Sequence, residues 1–206
     1  MRKTAKVSLV AGAAALVMGF AVHGAGAEAG IEARSPTFRI AWRPVSITSG
    51  ASTTRCNLTL EGYVHSNTMA KTAGALIGYL VEVSVRECTG GSATVLTSTL
   101  PWHVRYEGFT GRLPTIEGVK LTFIELSLSV QPTGSLNCLV RTSSTSPLKA
   151  IFNVEASSAV TGVALEPGST IPETGEALCA FASASFEGTG RLTTTATGSS
   201  VSITLI

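Results

Sequence analysis

Beyond residue 27 the chain carries two histidines, His65 and His103, and each lies in a run where apolar and polar residues alternate. Side chains two apart on a strand share a face, so Glu61, Tyr63 and His65 point one way from their run. His103, Arg105 and Glu107 do the same from theirs. If the two strands were neighbours, two imidazoles and two carboxylates could meet, the ligand set of a zinc site or an acid/base pair. The competing reading is a solvated face of cross-strand ion pairs. Trp102, Val104 and Tyr106 share the opposite, apolar face of the second run, and Trp42 stands between Ala41 and Arg43. Buried, these rings are core. Exposed, Trp42, Trp102 and Tyr106 could stack on the apolar faces of sugars.

Other chemistry is excluded by residue type. All thirteen acidic residues are glutamate, so a Ser-His-Asp triad and an EF-hand loop cannot be built. The Ser146-Pro147-Leu148-Lys149 string matches the Ser-x-x-Lys of penicillin-recognising enzymes, yet it lies in a Ser/Thr/Pro stretch rather than on a helix, and no Lys-Thr-Gly accompanies it. Ile171-Pro172-Glu173-Thr174-Gly175 imitates a sorting signal but lacks the apolar span and basic tail that must follow one. Asn57-Leu58-Thr59 is a glycosylation string that a bacterial source would leave unused. No cofactor or metal motif is legible.

The elements that would position these residues are strands. Phe38, Ile40 and Trp42 alternate with Arg39, Ala41 and Arg43, and Cys56, Leu58, Leu60 and Val64 with Asn57, Thr59, Glu61 and His65. Ile77, Tyr79, Val81, Val83 and Val85 read as the apolar face of a third strand. Between 119 and 131 the phase flips, which a β-bulge near Phe123 would explain. Further runs near 93–100, 102–107, 149–155, 159–165, 177–186 and 200–206 bring the number to about ten. That is many for one open sheet. The expectation is a single all-β domain over residues 28–206, a two-sheet sandwich of about ten strands. Ser66 to Leu76 is the one stretch with any helical character, and Thr142–Pro147 and Glu166–Gly175 read as exposed loops.

Residues 1–27 read as a secretory signal: Arg2, Lys3 and Lys6, then an apolar stretch from Val7 to Val22, then Ala25-Gly26-Ala27 as a cleavage site. Three of the fifteen Lys and Arg lie in it, so the remaining twelve stand against thirteen Glu and the mature charge is −1. Singly spread cations exclude nucleic acid as a partner. No second membrane span follows. An eight-stranded outer-membrane barrel would need outward apolar belts, aromatic girdles and few cysteines, and the composition offers none of these. Cys56, Cys88, Cys138 and Cys179 form an even set without Cys-x-x-Cys, as expected of disulfides in an exported protein. Pairing 56 with 88 and 138 with 179 is preferred, since each bridge closes a contiguous segment.

The run Leu100-Pro101-Trp102-His103-Val104-Arg105-Tyr106, followed by Phe109-Thr110-Gly111 and Leu113-Pro114, resembles uncharacterised exported proteins of actinobacteria. The stretch from Cys56 to Gly62 and that from Lys71 to Gly78 carry the same resemblance. It implies a bacterial cell-envelope or secreted setting and assigns no catalytic residue. The sequence-based expectation is therefore a non-enzymatic binding or structural module, whose partner would be a cell-wall or extracellular glycan or protein. Two alternatives accompany it: a carbohydrate-binding module using exposed aromatics, and a hydrolase or metal-dependent enzyme using the His/Glu cluster.

Overall fold

A computed structural model describes residues 30–69, 71–112, 115–167, 170–175 and 183–205. In chain order the strands are β1 (Ile31–Ala33), β2 (Thr37–Ser49), β3 (Ser52–Val64), β4 (Thr68–Met69), β5 (Leu76–Thr89), β6 (Gly91–Val95), β7 (Trp102–Arg112) and β8 (Thr115–Ile124). They continue with β9 (Ser127–Pro132), β10 (Cys138–Arg141), β11 (Leu148–Val154), β12 (Val160–Leu165), β13 (Thr170–Gly175), β14 (Ser183–Glu187), β15 (Thr189–Thr193) and β16 (Ile203–Leu205). Among the described residues the only helical segment is a 3₁₀ turn at Thr97–Thr99. Ser66 to Leu76 holds β4 and a turn, with no helix.

The expected two-sheet sandwich is not what forms. Eight antiparallel strands, in the order β2-β3-β5-β7-β8-β11-β12-β15, close on themselves because β15 pairs with β2 as well as with β12. The long β2 makes this possible. Its first half pairs with β15, through Ile40 opposite Leu192 and Trp42 opposite Gly190. Its second half, past a register shift between Trp42 and Val45, pairs with β14. Closure removes the two free edges that a sandwich would have had to protect. It also depends on a short strand whose one large apolar residue is Leu192, which is why periodicity alone does not reveal it.

At the seam the backbone approach is close. A Cβ on Gly190 would lie 2.8 Å from the Ala41 carbonyl and 2.9 Å from the Trp42 ring, tighter than real side chains allow, so only glycine lets β15 lie against β2 there.

Beyond the barrel, β14, β13, β10, β9 and β6 form an extension of the sheet that runs on from the far half of β2. Leu126, Leu128, Val130, Val140, Ile171 and Phe186 of this part join the barrel side chains in one continuous core. The phase flip expected as a bulge near Phe123 is instead the end of β8. The chain bends at Glu125, whose φ is 67°, and re-enters as β9 in the extension. Leu121 to Ile124 are all buried. The Ile171–Gly175 string, read as exposed loop, is most of β13, with Ile171 and Glu173 buried.

Cys56 and Cys88 are bonded, joining β3 to β5 where their pairing slips between Arg55 and Asn57. The bridge closes a segment with a sequence separation of 32. Cys138 is also disulfide-bonded, while Cys179, its expected partner, lies outside the described residues, as do residues 1–27. Over one mouth of the barrel, β16, β1 and β4 form a small separate sheet. Between this cap and the barrel interior is an apolar cavity of about 40 Å³, lined by Ala33, Met69 and Ile203 above and by Phe38, Leu121 and Phe152 below. Room for a few waters at most, it is far smaller than a site for a drug-sized ligand. Among the described residues, the barrel interior is packed with its own side chains.

Candidate functional site

The tryptophans are inside. Trp42 and Trp102 are fully buried, and each indole N–H has a partner: Trp42 Nε1 donates to the Val163 carbonyl at 3.1 Å, and Trp102 Nε1 to Thr99 Oγ1 at 2.8 Å. Tyr106 is buried as well, and desolvation raises its phenol pKa above the usual 10.0. None of the three offers a face to a sugar, so the aromatic platform expected from Trp42, Trp102 and Tyr106 is corrected: these rings are core because they alternate onto the barrel's dry side.

Different rings occupy the outer wall. Tyr63 on β3 stands directly opposite Tyr79 on β5, which stands directly opposite His103 on β7. Ring centroids are 5.8 Å apart for the tyrosine pair and 5.0 Å for Tyr79 and His103. His65, just past the end of β3, meets Tyr79 edge-on at 4.8 Å. Such separations and tilts are those of favourable aromatic pairs. The patch continues into exposed apolar residues, with Tyr63 at 38%, Leu76 at 39% and Val81 at 46% exposure.

Two local features build it. Opposite Glu61 and Gly62, β5 carries one extra residue, Val81, so that Tyr79 and Val81 face outward while Leu80 turns in. The reading that placed Tyr79 and Val81 on the apolar inner face of β5 therefore fails at this bulge, while Ile77 before it and Val83 after it are buried as expected. Gly62 and Gly78 flank the bulge. A Cβ on either would come within 2.2 Å of the facing tyrosine carbonyl, so the glycines were the sequence signal for the irregularity.

The two imidazoles thus reach one patch, on either side of Tyr79, but the carboxylates expected with them do not. Arg39 Nε donates to Glu61 Oε1 at 2.7 Å, and Lys149 Nζ donates to Glu107 Oε1 at 3.1 Å, so Glu61 is held by a cation of the neighbouring β2 and Glu107 by one of β11, two strands away. The carboxylate that does reach an imidazole is Glu125, hydrogen-bonded to His103 Nδ1. Glu125 belongs to the bend after β8, which pattern reading took for continuous strand. Arg105 pairs in register with Leu76, and its Nε is buried without a hydrogen-bond partner. Among the described residues no three His, Cys, Asp or Glu side chains come together as a metal cluster.

The wall's remaining chemistry is charge. Arg39–Glu61, Lys120–Glu166 and Lys149–Glu107 pairs cross it from strand to strand, while the interior holds Phe38, Ile40, Leu60, Val104, Phe123 and Phe152. A membrane barrel has the reverse arrangement, apolar outside and polar within. No helix of the described residues is long and apolar enough to cross a membrane. No family model matches the chain, and no curated protein or solved structure matches it either.

Proposed function

We propose that this chain is an exported, non-enzymatic binding module of the bacterial cell envelope that engages its ligand on the outer wall of the barrel. The observation that carries the reading is the row of exposed Tyr63 and half-buried Tyr79 and His103 across three adjacent strands, outside a barrel whose cavity, among the described residues, is only about 40 Å³. Export itself is supported by the basic, apolar and small-residue succession of residues 1–27 and by disulfide bonding. A glycan is the favoured ligand class because Tyr63 and Tyr79 present phenol rings with polar tips on a wall rich in hydroxyls, the combination that packs on a sugar's C–H face while bonding its hydroxyls.

The test is retention of the purified protein by insoluble envelope material. Wild type should be retained, and Tyr63→Ala with Tyr79→Ala should weaken retention by roughly 10-fold, the scale of losing one or two binding aromatics. No retention of a wild-type protein that shows native near-ultraviolet circular dichroism would overturn the reading. Sequencing the N-terminus of the exported form should return Glu28 as the first residue.

A further inference from the structure

The same barrel wall carries a trough that crosses β15, β2, β3 and β5, with guanidinium groups from β15, β2 and β5. Its first part, about 570 Å³, is walled by Arg39, Arg43 and Arg191 with Thr161, Thr189 and Thr193, and no acid lines it. Its second part, about 370 Å³, shares Arg39 and Arg43 and adds Arg86 with Thr59 and Ser84. Register explains the shape. On successive strands Arg191 faces Ala41, Ala41 faces Thr59 and Thr59 faces Ser84, a row of mostly small side chains that forms the floor. Arg39 and Arg43 flank Ala41 on β2, and Arg86 faces Asn57. Four strands at ~4.8 Å spacing make the trough roughly 14 Å wide.

Within a mature chain of charge −1, this concentration of cations is only partly compensated. Arg39 is paired to Glu61, but among the described residues Arg43, Arg86 and Arg191 make no ion pair and no side-chain hydrogen bond. The second part also contains Glu61, held by Arg39, and Glu87, which accepts from Asn57. Glu82 lies opposite Glu61 on the same wall. These acids set a limit on the ligand. A chain as densely charged as a nucleic acid, with one charge per ~1.7 Å, would be repelled by them, whereas one carrying a single carboxylate per ring would meet the arginines and pass the glutamates.

We infer that the trough binds an acidic polysaccharide of the uronate type, the guanidinium forks of Arg43 and Arg191 holding its carboxylates and the threonine hydroxyls its ring hydroxyls. A planar carboxylate matches the two parallel N–H donors of arginine. This rests on the reading of the barrel as a wall-binding module and names the ligand's charge class.

Affinity electrophoresis of the full chain through gels containing polygalacturonate, a neutral glucan, or duplex DNA tests it. Polygalacturonate should retard the protein, with retardation falling as salt is raised. Arg43→Ala with Arg191→Ala should weaken that binding at least ~10-fold, Arg43→Lys with Arg191→Lys should restore only part of it, and the distant exposed Arg112→Ala should leave it unchanged. Retardation by DNA as strong as by polyuronate, or a double-alanine variant indistinguishable from wild type, overturns the inference. Retention on neutral glucan but not on polygalacturonate overturns it too, while leaving the wall-binding reading standing. Loss of envelope retention altogether is the separate failure of that reading.

Discussion

Trp42 and Trp102 show how a residue's neighbours decide its role. Followed by an arginine or a histidine, each could have been a surface ring, yet strand phase turns both inward and a carbonyl or hydroxyl satisfies each indole N–H. Trp42→Ala should therefore cost about 3–5 kcal/mol in chemical denaturation, the range for losing a large aromatic from a packed core. Tyr106 gives a pH test. Burial raises its pKa in the folded state, so above pH 10 the unfolded chain ionises first and stability falls with rising pH. Tyr106→Phe should remove that part of the alkaline loss. Equal alkaline slopes for the two proteins in denaturation measured between pH 9 and 11 would contradict it.

At the scale of elements, the sequence made the inner faces of β2 and β3 readable because their alternation is unbroken from Phe38 to Trp42 and from Cys56 to Glu61. It hid β15, whose Thr-Gly-Arg-Leu-Thr has one large apolar residue, and with β15 the closure itself. A sandwich and a barrel have the same period of two, and what separates them is a single non-local pairing that no local pattern encodes. The site was legible in the same partial way. His65 and His103 were found, but Tyr79 was assigned to the wrong face because one inserted residue, Val81, inverts the phase. The seam is the place to test closure: Gly190→Val puts branched carbons where Ala41 and Trp42 already are, and should destabilise by at least ~2 kcal/mol, as overpacking does. A neutral effect on the denaturation midpoint would mean that β15 does not lie against β2.

As a whole molecule, the protein is a barrel dry within and charged without, extended by further strands and pinned by the Cys56–Cys88 bridge. That bridge should contribute about 4 kcal/mol by restricting the unfolded chain, so Cys56→Ser with Cys88→Ser should lower the midpoint of thermal unfolding markedly while leaving the strand signal in far-ultraviolet circular dichroism intact. The proposed function places recognition on the wall, because the cavity under the cap, among the described residues, is only about 40 Å³. The most direct measurement of that claim is an amide chemical-shift map recorded as polygalacturonate or solubilised envelope glycan is added. The shifts should fall on Arg39, Tyr63, Tyr79, Arg86 and Arg191, with Phe38, Leu121 and Phe152 unmoved. Shifts centred instead on those interior residues and on Met69 and Ile203 of the cap would show that the cap opens and the ligand goes inside, and would contradict it.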